Sequence, residues 1–367
     1  MNQRHFATAS IFCLASIFAS APVLADGGAA HKAAQSIPVR LGTSGGNIKD
    51  TSKAFCCSGT LGALVKKPDG KSYVLSNNHV LARTGAALAG ESVSQPGLID
   101  SGCRPQTTVA TYSQAAPLGP SNVDAALAVV SQNRVDSTGA ILDIGIPAST
   151  PNSAAVGMTV AKSGRTTGLT CGSVTSVLTD VSVQYQKGCN SGKKFTVAYA
   201  DQVVATPGTF SAGGDSGSLI VDASTAQPVA LLFAGSSTTT IGNPIQDVIA
   251  ALNVTFVGGS THPVSCPGAA APAAASSRPL PAKAVEHAAA VKNRHAKGLL
   301  GTTGIQGVGV GASEDDPGLP AIVLYVVEGA QHAPLPSNIE GVPTRIVSTD
   351  RFQAYGWNET AGTGCAQ

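Results

Sequence analysis

Gly213-Gly214-Asp215-Ser216-Gly217-Ser218, running straight into Leu219-Ile220-Val221, is the stretch on which the reading of this 367-residue chain turns. A serine hydroxyl is a weak nucleophile. It needs a base to take its proton and donors for the oxyanion that forms when it attacks. Glycines around the serine let the backbone turn tightly, so that successive N–H groups converge on one small space. The apolar run behind the turn reads as a buried strand. An ordinary surface β-turn can carry the same residues, so the reading depends on whether the chain also supplies a base and an orienting acid.

Both are present. His79 lies in Tyr73-Val74-Leu75-Ser76-Asn77-Asn78-His79-Val80-Leu81, where a β-rich run gives way to a polar turn. Asp124 lies in Asn122-Val123-Asp124-Ala125-Ala126-Leu127-Ala128-Val129-Val130, at the mouth of an apolar run. Alone, that carboxylate also suits a strand start or a helix cap. The chain order His79, Asp124, Ser216 is one of the arrangements in which a Ser-His-Asp triad occurs.

At these residues the chain resembles the trypsin/chymotrypsin-like serine proteases, over roughly Ser58 to Leu252. Ser58-Gly59-Thr60-Leu61-Gly62 is similar to the strand ahead of the family's histidine. Ser76-Asn77-Asn78-His79-Val80, Val123-Asp124-Ala125-Ala126-Leu127 and Gly214-Asp215-Ser216-Gly217 resemble its three catalytic motifs, and Ser163-Gly164-Arg165-Thr166-Thr167-Gly168 resembles the bacterial secreted, streptogrisin-like branch. The resemblance implies a chymotrypsin-like all-β double antiparallel β-barrel, and the residue pattern beyond it adds a small C-terminal α+β domain. It also implies a serine endopeptidase that works through an acyl-enzyme. His79 is then general base and general acid, Asp124 holds its tautomer, and the N–H groups of Gly214 and Ser216 receive the oxyanion.

No Ile-Val-Gly-Gly-like start follows a basic cleavage site, so Asp215 needs a cation other than a freed N-terminus. The resemblance offers Arg165 for that structural role, with an active site formed on folding. The substrate pocket is expected around Phe210, Phe233 and Gly235; Phe210 in place of an acid argues against a preference for Lys or Arg. The competing reading is a protease-like protein that holds peptides or partners with little catalysis, and an esterase is a third.

The ends of the chain fit export. Arg4 and His5 precede an apolar stretch over Ile11 to Phe18, and Val23-Leu24-Ala25 offers a small-x-small cleavage site, which predicts a signal peptide over residues 1–25. The product is expected to be secreted or periplasmic, with no membrane association after cleavage. Charged residues make up 12% of the chain and the net charge is +2 without a basic cluster, which argues against nucleic acid as a partner; the resemblance implies a polypeptide substrate. No metal-ligand spacing is visible, and no metal or cofactor is expected.

Beyond Cys13 there are Cys56, Cys57, Cys103, Cys171, Cys189, Cys266 and Cys365. Pairing Cys171 with Cys189 closes a predicted hairpin, Cys103 reaches back to Cys56 or Cys57, and Cys266 pairs with Cys365, which leaves one of the adjacent cysteines over.

The predicted organisation runs from an N-terminal segment (26–54) to a protease domain (55–260), an Ala/Pro/Ser-rich linker (261–282) and a small α+β unit (283–367). Within the last, a helix is predicted over Lys283–Leu300, and strands over Gly304–Gly311, Ala321–Val327 and Thr344–Val347. The Gly307-x-Gly309-x-Gly311 repeat follows a helix and lies in a strand pattern, so it reads as a glycine-rich strand, not a phosphate loop. This unit could guide folding, inhibit the cleft or bind substrate.

Overall fold

The computed structural model describes residues 28–266 and 280–354. The predicted signal peptide, most of the linker and Cys365 lie outside them. In chain order the elements are α1 (Ala29–Lys32), β1 (Thr43–Asn47), β2 (Gly59–Leu61), β3 (Ala63–Lys66), β4 (Ser72–Ser76), α2 (Asn78–Leu81), β5 (Ser92–Gln95), β6 (Thr107–Ala115) and β7 (Ala126–Val130). There follow β8 (Thr159–Gly164), β9 (Gly168–Gln186), β10 (Lys194–Thr206), β11 (Leu219–Asp222), β12 (Pro228–Gly235), β13 (Thr240–Pro244), α3 (Ile245–Leu252) and β14 (Thr255–Phe256). The C-terminal unit holds α4 (Ala282–Leu300), β15 (Ile305–Ala312), β16 (Pro320–Val327), β17 (Asn338–Ile339), β18 (Val342–Thr349) and β19 (Gln353–Ala354).

Two barrels result. In the first sheet the order is β14-β3-β4-β7-β6-β5-β1-β2, and β2 continues into β3 with Gly62 alone between them, so the sheet closes on itself. Its interior is filled by Leu61, Leu75, Val93, Val109 and Leu127, none of them exposed. In the second, antiparallel pairings run in a ring, β8-β9-β10-β13-β12-β11 and back to β8. Closure removes the free strand edges that an open sheet would present. The predicted double barrel is thus the observed fold.

The C-terminal unit is not set apart from the second barrel. Strand β9 is 19 residues long, and its outer half carries β15 as an antiparallel neighbour, with Val308 opposite Asp180 and Gly307 opposite Val181. The glycine repeat has its reason here, since a Cβ at Gly309 would run into the hydroxyls of Ser176 and Thr179. Strand β16 follows antiparallel and β18 parallel, and α4 packs its Ala288 and Val291 on them. Val323, Tyr325 and Phe352 share one apolar cluster with Val181, Tyr185, Tyr199 and Phe233, so the two units have a joint core.

One disulfide lies within the expected set, with Cys103 reaching back to Cys56, and the other two differ from it. Cys56 pairs with Cys103, Cys57 with Cys189 and Cys171 with Cys266. Both adjacent cysteines are therefore used, neither Cys171–Cys189 nor Cys266–Cys365 forms, and Cys57 does not pair with Cys103. Spacing favoured short loops, whereas barrel closure brings distant segments together. Cys266 returns to the second barrel past Ala223, whose carbonyl accepts the N–H of Val264 (2.8 Å).

Candidate active site

Strand β4 ends at Ser76, Asn77 stays extended, and the single turn of α2 follows with His79 on it. Asn77 and Asn78 fix that turn from within, donating through Nδ2 to the carbonyls of Asp124 (2.7 Å) and Ala116 (2.8 Å). Asp124 precedes β7, and β4 pairs with β7 in register Ser76 to Ala126, which brings the acid beside the histidine. The Asp124 carboxylate meets His79 twice: Nδ1 lies 2.6 Å from Oδ2 and the backbone N–H 3.2 Å from Oδ1. Both side chains are fully buried. A carboxylate at Nδ1 holds the proton there, which turns Nε2 into the basic nitrogen.

Three residues that sequence reasoning missed complete the surroundings of Asp124. Tyr185 Oη on β9 donates to Oδ2 (2.8 Å) and is itself bonded to Tyr199 Oη (2.7 Å). Burial first, then the nearby Asp124 charge, pushes the ionisation of both phenols upward, so they remain protonated donors at neutral pH. Asn243 on β13 accepts the Asp124 backbone N–H (2.9 Å), which ties the acid of the first barrel to the second.

Ser216 sits in the turn before β11, against the first barrel: Thr60 N–H on β2 donates to Ser216 O at 2.8 Å. A Cβ at neighbouring Gly59 would lie 2.6 Å from Val80, the residue after His79, and 2.8 Å from Ser216 O. The turn is laced in place. Thr166 Oγ1 donates to Gly213 O (2.6 Å) and Thr60 Oγ1 to Gly214 O (3.0 Å), while Asp215, Gly217 and Ser218 spend their N–H groups on Ala212, Leu232 and Asp215. Gly214 has φ +93° and Gly217 φ +96°, backbone that glycine adopts without strain. Among the described residues the N–H groups of Gly214 and Ser216 have no hydrogen-bond partner. They are the two donors expected to receive an oxyanion.

The expected Arg165–Asp215 pair is replaced. The cation against Asp215 is Lys162 on β8, with Nζ 3.3 Å from Oδ2 and neither side chain exposed. Lys162 also donates to Thr167 Oγ1 and to Gly168 O. Burial pushes its ammonium downward, and the Asp215 carboxylate opposes that shift. Four donors complete the carboxylate shell: the N–H groups of Thr166 (2.8 Å), Thr167 (3.2 Å) and Ala212 (3.0 Å), and Thr167 Oγ1 (2.7 Å). Arg165 instead forms a bidentate pair with Asp100, at 2.7 and 2.8 Å. A signal was present in the sequence, because Lys162 alternates with Val160 on the inward face of a strand, and a charge there requires a buried counter-charge.

The expected pocket residues are placed as follows. Phe210 is fully buried in the core of the second barrel with Val160, Val203 and Leu232. Phe233 is equally buried and meets Tyr199 edge-on, ring centroids 4.9 Å apart. Gly235 ends β12 on an edge taken by β19. Phe210 therefore packs the barrel and does not present an open wall.

No curated protein sequence matches the chain. Among solved structures, a glutamic acid specific serine protease is 21% identical with TM-score 0.41, covering 59% of this chain and 100% of its own. A Nocardiopsis protease is 16% identical with TM-score 0.39, covering 54% and 92%, and Thermobifida fusca Protease A is 18% identical with TM-score 0.38, covering 55% and 92%. The Trypsin family model matches residues 38–252, which takes in both barrels with His79, Asp124 and Ser216. By that match the chain belongs to the trypsin family of serine proteases, and so to the hydrolases.

Proposed function

We propose that the protein is a secreted or periplasmic serine endopeptidase that cleaves polypeptides through His79, Asp124 and Ser216. The observation that carries this reading is the doubly bonded, fully buried His79–Asp124 pair, together with two unspent N–H groups on the Ser216 turn. His79 Nε2 takes the hydroxyl proton as Ser216 Oγ attacks the peptide carbonyl. Asp124, supported by Tyr185, stabilises the imidazolium so formed. The N–H groups of Gly214 and Ser216 stabilise the oxyanion, each worth about 3 kcal/mol in such sites. The imidazolium then protonates the leaving amine, and water, activated by the same nitrogen, releases the acyl group from Ser216.

The Lys162–Asp215 pair supports an active site that forms on folding. The cation below the serine turn comes from β8 within the barrel, so no freed N-terminus has to supply it. Three disulfides suit an oxidising compartment.

The test is labelling of the oxidised, folded protein with a small fluorophosphonate, beside Ser216→Ala and His79→Ala. Labelling confined to the unsubstituted chain is the expected outcome. A folded sample that resists the reagent overturns the reading in favour of a protease-like binding protein.

A further inference from the structure

We infer that the chain carries its own occupant of the peptide-binding edge: segment Phe352–Ala354 lies on β12 where a substrate backbone must lie to reach Ser216. The inference rests on the reading of Ser216 as the nucleophile, and its test is chosen to separate the two.

Strand β12 has β13 on one side from Ala230 to Gly235, but on the other side β11 accompanies it only as far as Leu231. There the chain turns off through Ser218 and Gly217, which bond Leu232 as acceptor (3.0 Å) and donor (2.8 Å). The edge from Phe233 to Gly235 is thus left without β11, and it begins beside Ser216. An extended peptide docks on such an edge through main-chain pairing, with side chains alternating into pockets. Strand β19 holds that place. Gln353 pairs antiparallel with Gly235 and Ala354 with Ala234, and β9 flanks it on the far side through Gln184 N–H to Phe352 O, 2.9 Å. In this polarity the chain at Ala354 is directed along β12 toward Leu232, and so toward the serine turn. A substrate entering with the same polarity would present its backbone to the same atoms.

The segment is anchored as a unit. The Phe352 ring is fully buried in the joint cluster with Phe233, Tyr185 and Tyr325. Gln306 on β15 bonds Phe352 N–H and Asp350 O, both at 2.8 Å. Asp350 accepts the N–H of Ser237 (2.7 Å), just past the end of β12. Tethering in the same molecule gives an effective concentration of about millimolar or more, so a free peptide of ordinary affinity is excluded. The C-terminal unit therefore acts as an intramolecular competitor for extended substrates, while a small reagent at Ser216 is not obstructed by the strand pairing.

The experiment uses the full chain carrying Ser216→Ala, which makes it independent of any nucleophile. A fluorescein-labelled peptide with the sequence of residues 348–354 is titrated against it, with and without Ala354→Pro, which removes a backbone N–H from the strand. Asp350→Ala, which loosens the anchor at a half-buried site, is the second variant and carries the test if the proline variant misfolds. Binding at least about tenfold tighter in the loosened variants is the expected result. Equal binding in the parent and a folded variant overturns the inference. Fluorophosphonate labelling of the same variants with Ser216 restored reports separately on the nucleophile.

Discussion

Replacing Lys162 with Met removes the positive half of a buried pair and leaves Asp215 one residue from Ser216 without its cation. Lys162 Nζ lies 3.3 Å from Asp215 Oδ2, and both side chains are inaccessible. At that separation the attraction is about 5 kcal/mol for an effective dielectric constant of ~20. Four donors remain on the carboxylate after the substitution, and buried methionine recovers some apolar contact, so the loss is smaller. The expected destabilisation is therefore about 3 to 4 kcal/mol at pH 7, within the range for breaking a buried pair. Urea unfolding of the oxidised protein by far-ultraviolet circular dichroism measures it. A double-mutant cycle with Asp215→Asn should give a coupling of about 2 to 3 kcal/mol, and a parallel cycle of Asp215 with Arg165→Met about 0.5 kcal/mol or less. A larger coupling to Arg165, or a cost below about 1 kcal/mol for Lys162→Met at pH 7, would refute the assignment.

Two further outcomes follow from the same framework. At Gly217, φ is +96° and a Cβ would collide with Ser76 Oγ and Thr60 O, so Gly217→Ala should lose about 3 kcal/mol from backbone strain and overpacking together. Its urea midpoint and labelling rate would then both fall, and a wild-type midpoint would contradict the packing described. Burial pushes Tyr325 from 10.0 up to about 12 and raises Tyr185 well above its ordinary range. The folded chain then holds these protons after the unfolded chain has released them, so this stability is complete below pH 10 and is lost as the pH rises toward 12. Tyrosinate absorbance rising together with a falling melting temperature above pH 10 is expected; early ionisation in the folded protein would contradict the burial.

Much of the site was legible because its chemistry is carried by short local motifs. His79 follows a strand and Ser216 precedes one, and a short apolar run marked both strands. What was not legible depends on ring closure. Tyr185 and Asn243 reach Asp124 only because β9 and β13 close the second barrel against the first, and no local pattern names them. Two of the three disulfides were missed for the same reason: Cys57 and Cys189 are 132 residues apart in sequence and meet only in the folded molecule. For Lys162, the clue was an inward-facing charge, which the stronger motif at Arg165 outweighed. The helix and strands of the C-terminal unit were readable from their periodicity. Its continuity with β9 was not, because main-chain pairing between distant strands leaves only the glycines of β15 as a trace.

The length of β9 has a consequence for the life of the molecule. Its outer half serves as a seam, with barrel on one side and β15 on the other. Parting the C-terminal unit from the barrels would uncover, along residues 176–181, a row of unpaired N–H and C=O groups beside newly wetted Val181, Tyr185 and Phe233. Such an edge recruits strands from other chains. A protease freed of its C-terminal unit would thus gain an open cleft and a tendency to self-associate together, and the concentration at which it is released would decide which of the two dominates.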